Sequence, residues 1–437
     1  MTDETESAPS AVPEPGVDQP EDGDPWYTSW AVPIAIVAIA VGLIAGIVLV
    51  AQQDQGEGRT ALGGTTVEPS ALPVTVPFRE IAGHIVIDVT FGDDSRTVPM
   101  ILDSGAPTIV SEEIAEVFGG GIAGTVATTT ADGGVITSDV VPLPKLTIGE
   151  AVFRTVGAVI DAIEPGNPFY CISDSGFIGA SLMQAAVWQI DPASGNVTIA
   201  QSVDDLDHID DAIRLDFARA SDVSPSPLVE LSVRGEPLTF LLDTGSDGWL
   251  AANATDLNDI GIYATGNAPT EAVLGTTAAG GFTSLVQWLA AEVTLGEEAQ
   301  RLPIATVGVL PEGQGNAGTD FLSRFVVTFD WSEDAVYLDP IAELAPTTPS
   351  SAGLAWSDGY VVGSYVEGLP GNEGLALSTE VTAIDGRDVT HAPFDDFCTR
   401  LTAEGTATYE MTVAGEVPTT VVVAPVKDFF EPLLGNR

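Results

Sequence analysis

"FLLDTGSD", residues 240–247, sets an apolar run directly against Asp243 and follows it with Thr-Gly-Ser. A lone Asp-Thr-Gly most often closes a plain turn, its aspartate hydrogen-bonded to nearby backbone. The other reading makes Asp243 half of a carboxylate pair. A pair requires a second acid in the same setting elsewhere in the chain.

The chain supplies one, because it is written twice. "VPFREIAGHIVIDVTFGDDSRTVPMILDSGAPTIVSEEIAEVFG" (76–119) and "LDFARASDVSPSPLVELSVRGEPLTFLLDTGSDGWLAANATDL" (215–257) run in parallel. Each has a phenylalanine, Phe78 or Phe217, at nearly the same spacing ahead of its aspartate. A strand pair follows, then the apolar run into Asp-(Ser/Thr)-Gly. Further on, "GFIGASLMQAAVWQIDPASGNVTIA" (176–200) matches "GNAGTDFLSRFVVTFDWSEDAVYLD" (315–339). The step from Asp103 to Gly179 matches the step from Asp243 to Gly318 to within a single position. A period this long signals a duplicated domain rather than a solenoid of small units. Asp103, in "MILDSGAPT", is the second carboxylate.

The residue types fit one chemistry. An apolar strand withholds water from the turn that follows it. The hydroxyls of Ser104 and Thr244 can hydrogen-bond across a two-fold interface, and Gly105 and Gly245 let backbone amides approach the carboxylates. Two such turns brought together place two carboxyls within reach of one water. Like charges that close do not both ionise readily, so the pair shares a proton. One member then acts as general base on the water while the other protonates a substrate carbonyl. A third Asp-Ser-Gly, at Asp174 in "CISDSGFIG", serves as a control. Cys-Ile-Ser precedes it instead of a continuous apolar strand, and the second copy has no counterpart, so Asp174 reads as a loop residue.

With these residues in place, the two copies resemble the pepsin- and retropepsin-like aspartic proteases over about residues 76–340. "ILDSGAPT" and "LLDTGSDG" carry the likeness, with "FIGASLM" and "AGTDFLSRF" downstream. "GTDFLSRFVVTFD" is particularly similar to the late strand and terminal helix of bacterial retropepsin-like domains. The resemblance implies two closed β-barrel-like lobes, 76–205 and 206–345, related by a pseudo-two-fold axis and fused in one chain. It implies Asp103 and Asp243 as the catalytic dyad, a protein or peptide substrate, and no cofactor or metal. It also implies a flap over the cleft. Gly-rich candidates are "TTTADGGVITS" (128–138), containing Asp132, Gly133 and Gly134, and "GTTAAGGFTS" (275–284), containing Gly280 and Gly281. Neither holds the tyrosine of pepsin flaps, which favours the retropepsin-like side; the bland reading of each is a plain hairpin. Trp249, close behind the second motif, reads as core rather than substrate-lining.

Residues 350–437 resemble a PDZ domain of the bacterial protease-associated type, a small α+β fold. The strand-turn-strand "TEVTAIDGRDV" matches best, with 390–404 as the helix, and "GLALSTE" departs from the family pattern. The likeness implies a groove where a peptide C-terminus adds as an extra strand.

Composition bounds these readings. An apolar content of 45% with 46 Gly and 30 Pro suits a strand- and turn-rich globular body. Alternating stretches such as "HIVIDVTF" (84–91), "PLVELSV" (227–233) and "RFVVTFD" (324–330) make it mainly β. Fourteen Lys+Arg against 63 Asp+Glu give a net charge of −49, which speaks against nucleic acid and anionic headgroups as partners. Residues 1–28 hold eight acids and no base and are expected to be disordered. A transmembrane helix is expected over 29–51, since "WAVPIAIVAIAVGLIAGIVLVA" (30–51) carries no charge from end to end and is long enough to cross a bilayer. Trp26, Tyr27 and Trp30 would form its interfacial belt. The short tail and large C-terminal body favour a body outside the cytoplasm, and 52–75 reads as a tether.

Cys171 and Cys398, far apart in the sequence and in different domains, exclude a disulfide scaffold and offer no metal-ligand spacing. His84, His208 and His391 are scattered, with no nucleophile motif to make a triad. The expectation is a membrane-anchored aspartic endopeptidase. The alternative is an inactive, membrane-tethered peptide-binding scaffold on the same fold, and the presence of both aspartates weighs against it.

Overall fold

Short apolar strands joined by tight turns recur in the same order twice. The computed structural model describes residues 56–434 apart from 94–95, 130–134, 265, 267, 278–279, 404–407 and 416. The acidic tail and the apolar run expected to cross a membrane lie outside the described residues. Among the described residues no helix is long and apolar enough to cross one.

In the first lobe, strand His84–Phe91 folds back on Thr97–Asp103, pairing Val86 with Ile101. Strand Ile109–Ser111 leads into helix Glu112–Phe118, whose first turn is capped by the Ser111 hydroxyl accepting from the Ile114 amide. A hairpin follows, Gly124–Thr129 with Val135–Ile148, then strand Ala151–Asp161. Strand Gly176–Gly179 then slots in, parallel to Thr97–Asp103 and antiparallel to Ile109–Ser111. The second lobe repeats this element by element. Pro227–Val233 pairs with Glu236–Leu242, and Leu250–Ala252 leads into helix Ala254–Asp259, capped by Asn253. The hairpin is Thr270–Thr277 with Gly280–Leu295, followed by Glu298–Thr306. Gly315–Ala317 slots between Glu236–Leu242 and Leu250–Ala252. The lobes are therefore duplicated, and the chain is mainly β.

A shared sheet joins them. Val74–Pro77, Asn196–Ala200 and Val187–Asp191 come from the first copy, and Phe325–Asp330, Ala335–Pro340 and Ile213–Arg219 from the second. The seam pairs Trp188 with Phe329 and Ile190 with Val327. Trp188 stands at the same offset from Gly179 as Val327 from Gly318, and Ile190 at the same offset as Phe329. The register therefore maps onto itself when the copies exchange, as a pseudo-two-fold axis through the seam requires. Phe153 stacks on Trp188 at 5.8 Å in the core beneath it, a contact worth about 1 kcal/mol beyond area burial.

Two features depart from the sequence expectations. Part of the expected tether is packed: helix Gly56–Leu62 lies on the first lobe's hairpin and on Ala151–Asp161, with Leu62 fully buried. Gly157 makes this possible, because a Cβ there would stand 2.2 Å from the Ala61 carbonyl oxygen. The second correction concerns the cysteines. Cys171, in helix Pro168–Ile172 of the first lobe, forms a disulfide with Cys398 in helix Phe394–Leu401. Sequence distance hides the pairing because the C-terminal segment folds back onto the first lobe, where Tyr170 meets Phe394 with ring centroids 6.2 Å apart.

That segment is also continuous with the second lobe. Ala352–Trp356 and Tyr360–Val366 form a hairpin, and the latter pairs antiparallel with the lobe's own hairpin at Glu271, Ala272 and Val273. A separate sheet, Val381–Ile384, Arg387–Asp388, Tyr409–Val413 and Thr419–Val423, completes the segment around helix Phe394–Leu401. Its first turn, Asp385–Gly386, has φ of 50° and 73°, the doubly left-handed geometry that Asp-Gly favours in two-residue hairpins.

Candidate active site

Each aspartate ends the strand that the parallel Gly-X-X-Gly element pins in place. Gly179 pairs with Asp103, and Ala317 pairs with Leu242 beside Asp243. The two glycines closing these elements have no room for a side chain. A Cβ on Gly179 would lie 2.1 Å from the Pro107 carbonyl carbon, and one on Gly318 2.5 Å from the Gly248 oxygen. The following amides seal the turns, with Ala180 N–H donating to the Ala106 oxygen at 2.8 Å and Thr319 N–H to the Ser246 oxygen at 2.7 Å.

The structure brings all six residues of the two Asp-(Ser/Thr)-Gly motifs together. Ser104 Oγ donates to the Leu242 carbonyl at 2.7 Å and accepts from the Thr244 amide at 3.0 Å. Thr244 Oγ1 returns the pattern, donating to the Leu102 carbonyl at 2.8 Å and accepting from the Ser104 amide at 2.9 Å. The glycines do two things. Gly105 and Gly245 each donate an amide to their own aspartate, at 2.9 and 3.0 Å. Each also leaves space for the other: a Cβ on Gly105 would meet Asp243 Oδ1 at 2.5 Å, and one on Gly245 would meet Asp103 Cγ at 2.3 Å.

Asp103 and Asp243 are 1% and 0% exposed, and their carboxyl groups hydrogen-bond one another. Burial raises the pKa of both. The negative charge of Asp243 pushes Asp103 further, well above the ordinary carboxylate range. Asp243 rises to about 6, held back by hydrogen bonds, first among them that from the Asn316 side chain. Asn316 Nδ2 donates to Asp243 Oδ2 at 2.8 Å. Such a pair holds one proton between two oxygens across the middle of the pH scale, which equips it to give and take protons at once.

Asn316 escapes a search for motifs. The signal is present in the repeat, where "GFIG" (176–179) faces "GNAG" (315–318) with Phe177 aligned to Asn316. Asp174 is exposed, in a loop, and accepts only from its neighbour Ser175 among the described contacts. Trp249 is core: its Nε1 donates to the Pro303 carbonyl at 2.9 Å and its ring stands edge-on to Phe321. Of the flap candidates, Asp132, Gly133 and Gly134 lie outside the described residues. Gly280 and Gly281 pair with Thr277 and Thr276 at the tip of the second lobe's hairpin. Among the described residues no cluster of His, Cys, Asp or Glu is arranged to hold a metal ion.

Residues 87–180, which contain Asp103 and Gly179, match the model of the aspartyl protease family. The first lobe is aspartyl-protease-like. No curated protein matches the chain. Among solved structures, the crystal structure of aspartic proteinase from Irpex lacteus is similar at 14% identity and a TM-score of 0.41, covering 61% of this chain and 97% of that one. A likeness at that level carries no residue across, and the site stands on its own geometry.

Proposed function

We propose that this chain is an aspartic endopeptidase whose dyad is Asp103 and Asp243. The observation that carries the reading is the reciprocal fit of the two motifs, in which each glycine vacates the space the other motif's carboxyl occupies. In the reaction, one carboxylate removes a proton from water as the water oxygen bonds to the scissile carbonyl carbon. The protonated partner gives its proton to the carbonyl oxygen. On collapse, the first carboxyl protonates the departing nitrogen as the C–N bond breaks, and a gem-diol hydroxyl returns a proton to the second. The pair ends as it began, and the buried, low-dielectric setting strengthens each of these contacts.

The hairpins Gly124–Ile148 and Thr270–Leu295 are the flap elements in this reading. Residues 29–51 anchor the chain in a membrane with its body outside the cytoplasm, a placement that the Cys171–Cys398 disulfide supports, since such bonds persist in oxidising compartments. Residues 350–437 act as a PDZ-like module that takes a peptide C-terminus.

The test is cleavage of a peptide library by the full-length chain in detergent. Asp103→Asn and Asp243→Asn are each expected to lower kcat/KM by at least about a thousandfold while the Tm stays level or rises. Turnover that survives either substitution overturns the dyad. Tight peptide binding without turnover at any pH points instead to the inactive scaffold.

A further inference from the structure

The hydrogen bonds donated to the two carboxyl groups mirror one another between the lobes, with one exception among the described residues. The amides of Gly105 and Ala106 donate to Asp103, and those of Gly245 and Ser246 to Asp243. The Ser104 and Thr244 contacts mirror one another. Asn316, which donates to Asp243 at 2.8 Å, breaks the mirror. Its register equivalent in the first lobe is Phe177, which pairs with Ile101 as Asn316 pairs with Leu241, each two positions ahead of its aspartate. Phe177 has no proton to donate, and its ring stands edge-on to Phe169 at 5.2 Å.

A buried amide donor on one carboxylate stabilises that carboxylate's charge. Asn316 is 2% exposed, so water does not compete for the contact. It does not titrate, so the bias is present at every pH. We propose that Asn316 is a positioning residue that keeps the shared proton on Asp103 and leaves Asp243 as the charged member of the pair. The chemical roles that follow rest on the endopeptidase reading: Asp243 takes the proton from water, and Asp103 protonates the carbonyl oxygen.

The test replaces the donor with an apolar residue, as the first lobe already has, in Asn316→Leu, with the smaller Asn316→Ala as a second variant in the full-length chain. Two measurements are made. In the pH profile of kcat/KM, the acid limb is expected to move up by about one to two pH units, the size of one charged hydrogen bond. The second needs no turnover. Without the donor, native Asp243 keeps its proton to higher pH, so the Tm deficit against wild type should widen as the pH rises from about 4 to about 8. That widening should vanish when the variant is made in an Asp243→Asn background.

A deficit equal at every pH, with the acid limb unmoved, overturns the inference and leaves Asn316 a packing residue. If wild type cleaves nothing but the pH-dependent deficit appears and vanishes with Asp243→Asn, the proton assignment stands and the endopeptidase reading fails.

Discussion

The floor of the site and its surroundings follow different rules. Beneath the carboxyls the two lobes are near copies, down to the donor and acceptor of each hydrogen bond that joins them. Around the hairpins they diverge. The first lobe's hairpin is backed by helix Gly56–Leu62. The second lobe's hairpin is extended by Tyr360–Val366 from the C-terminal segment, which is itself bonded to the first lobe through Cys398. The contacts that join the two turns are built twice from the same residue types, whereas what covers them is built from unrelated segments.

The floor is the place to break this comparison hardest. Gly105→Ala and Gly245→Ala each set a methyl carbon within about 2.5 Å of the opposing carboxyl, closer than any contact the core can absorb. Both are expected to abolish turnover, by about a thousandfold or more, and to lower Tm to a similar degree. Kinetics and thermal melts of the two variants side by side check this. A glycine that tolerates alanine in one lobe alone would show the floor to be less symmetric than the geometry has it.

The surroundings should respond less, and unequally. Cys171→Ser with Cys398→Ser removes a link across a sequence separation of 227, and the expected loss is about 2–4 kcal/mol of stability. Hydrogen exchange should locate the loss in residues 350–434 and in the Thr270–Thr277 strand they pair with, leaving the Asp103 and Asp243 turns protected. Loss of protection at the two turns would make the C-terminal segment part of the floor.

The same division explains how far the sequence could be read. The duplication is legible because its constraints are local and repeated. Gly179 and Gly318 are glycine for the same steric reason, Ser104 and Thr244 are hydroxylated for the same hydrogen bonds, and two copies expose the rule. Nothing repeated marks Cys171 and Cys398, the docking of Leu62, or the strand Tyr360–Val366 that joins the second hairpin. Each is a long-range contact made once, with no second copy against which to compare it. Asn316 lies between these cases. The alignment of "GNAG" with "GFIG" displays the difference, but only the direction of the side chain, fixed by strand register, shows that it reaches Asp243.

The smallest expected effects set the lobes against each other a final time, because each buries, away from the dyad, an ionisable group whose pKa burial shifts. In the first lobe His84 is fully buried, with neither ring nitrogen hydrogen-bonded, and burial lowers its pKa from 6.5 to about 4. In the second, Glu271 is buried at the junction with Tyr360–Val366, accepting from Trp288 Nε1 at 2.8 Å, and burial raises its pKa from 4.5 to about 8. The signs are opposite. Below pH 6.5 the unfolded chain binds a proton that native His84 refuses, so stability falls as the pH drops from 6.5 through about 4. Above pH 4.5 the unfolded chain releases a proton that native Glu271 keeps, so stability falls as the pH rises from 4.5 through about 8. Glu271→Gln keeps the acceptor for Trp288 and removes the second slope, so the variant should gain on the order of 2 kcal/mol over wild type at alkaline pH and little near pH 4. His84→Leu should flatten the acid side by a similar amount and leave the alkaline side alone. Urea titrations across pH 4 to 9 separate the two, and a Glu271→Gln variant with the wild-type alkaline slope would mean that the hairpin junction opens to water.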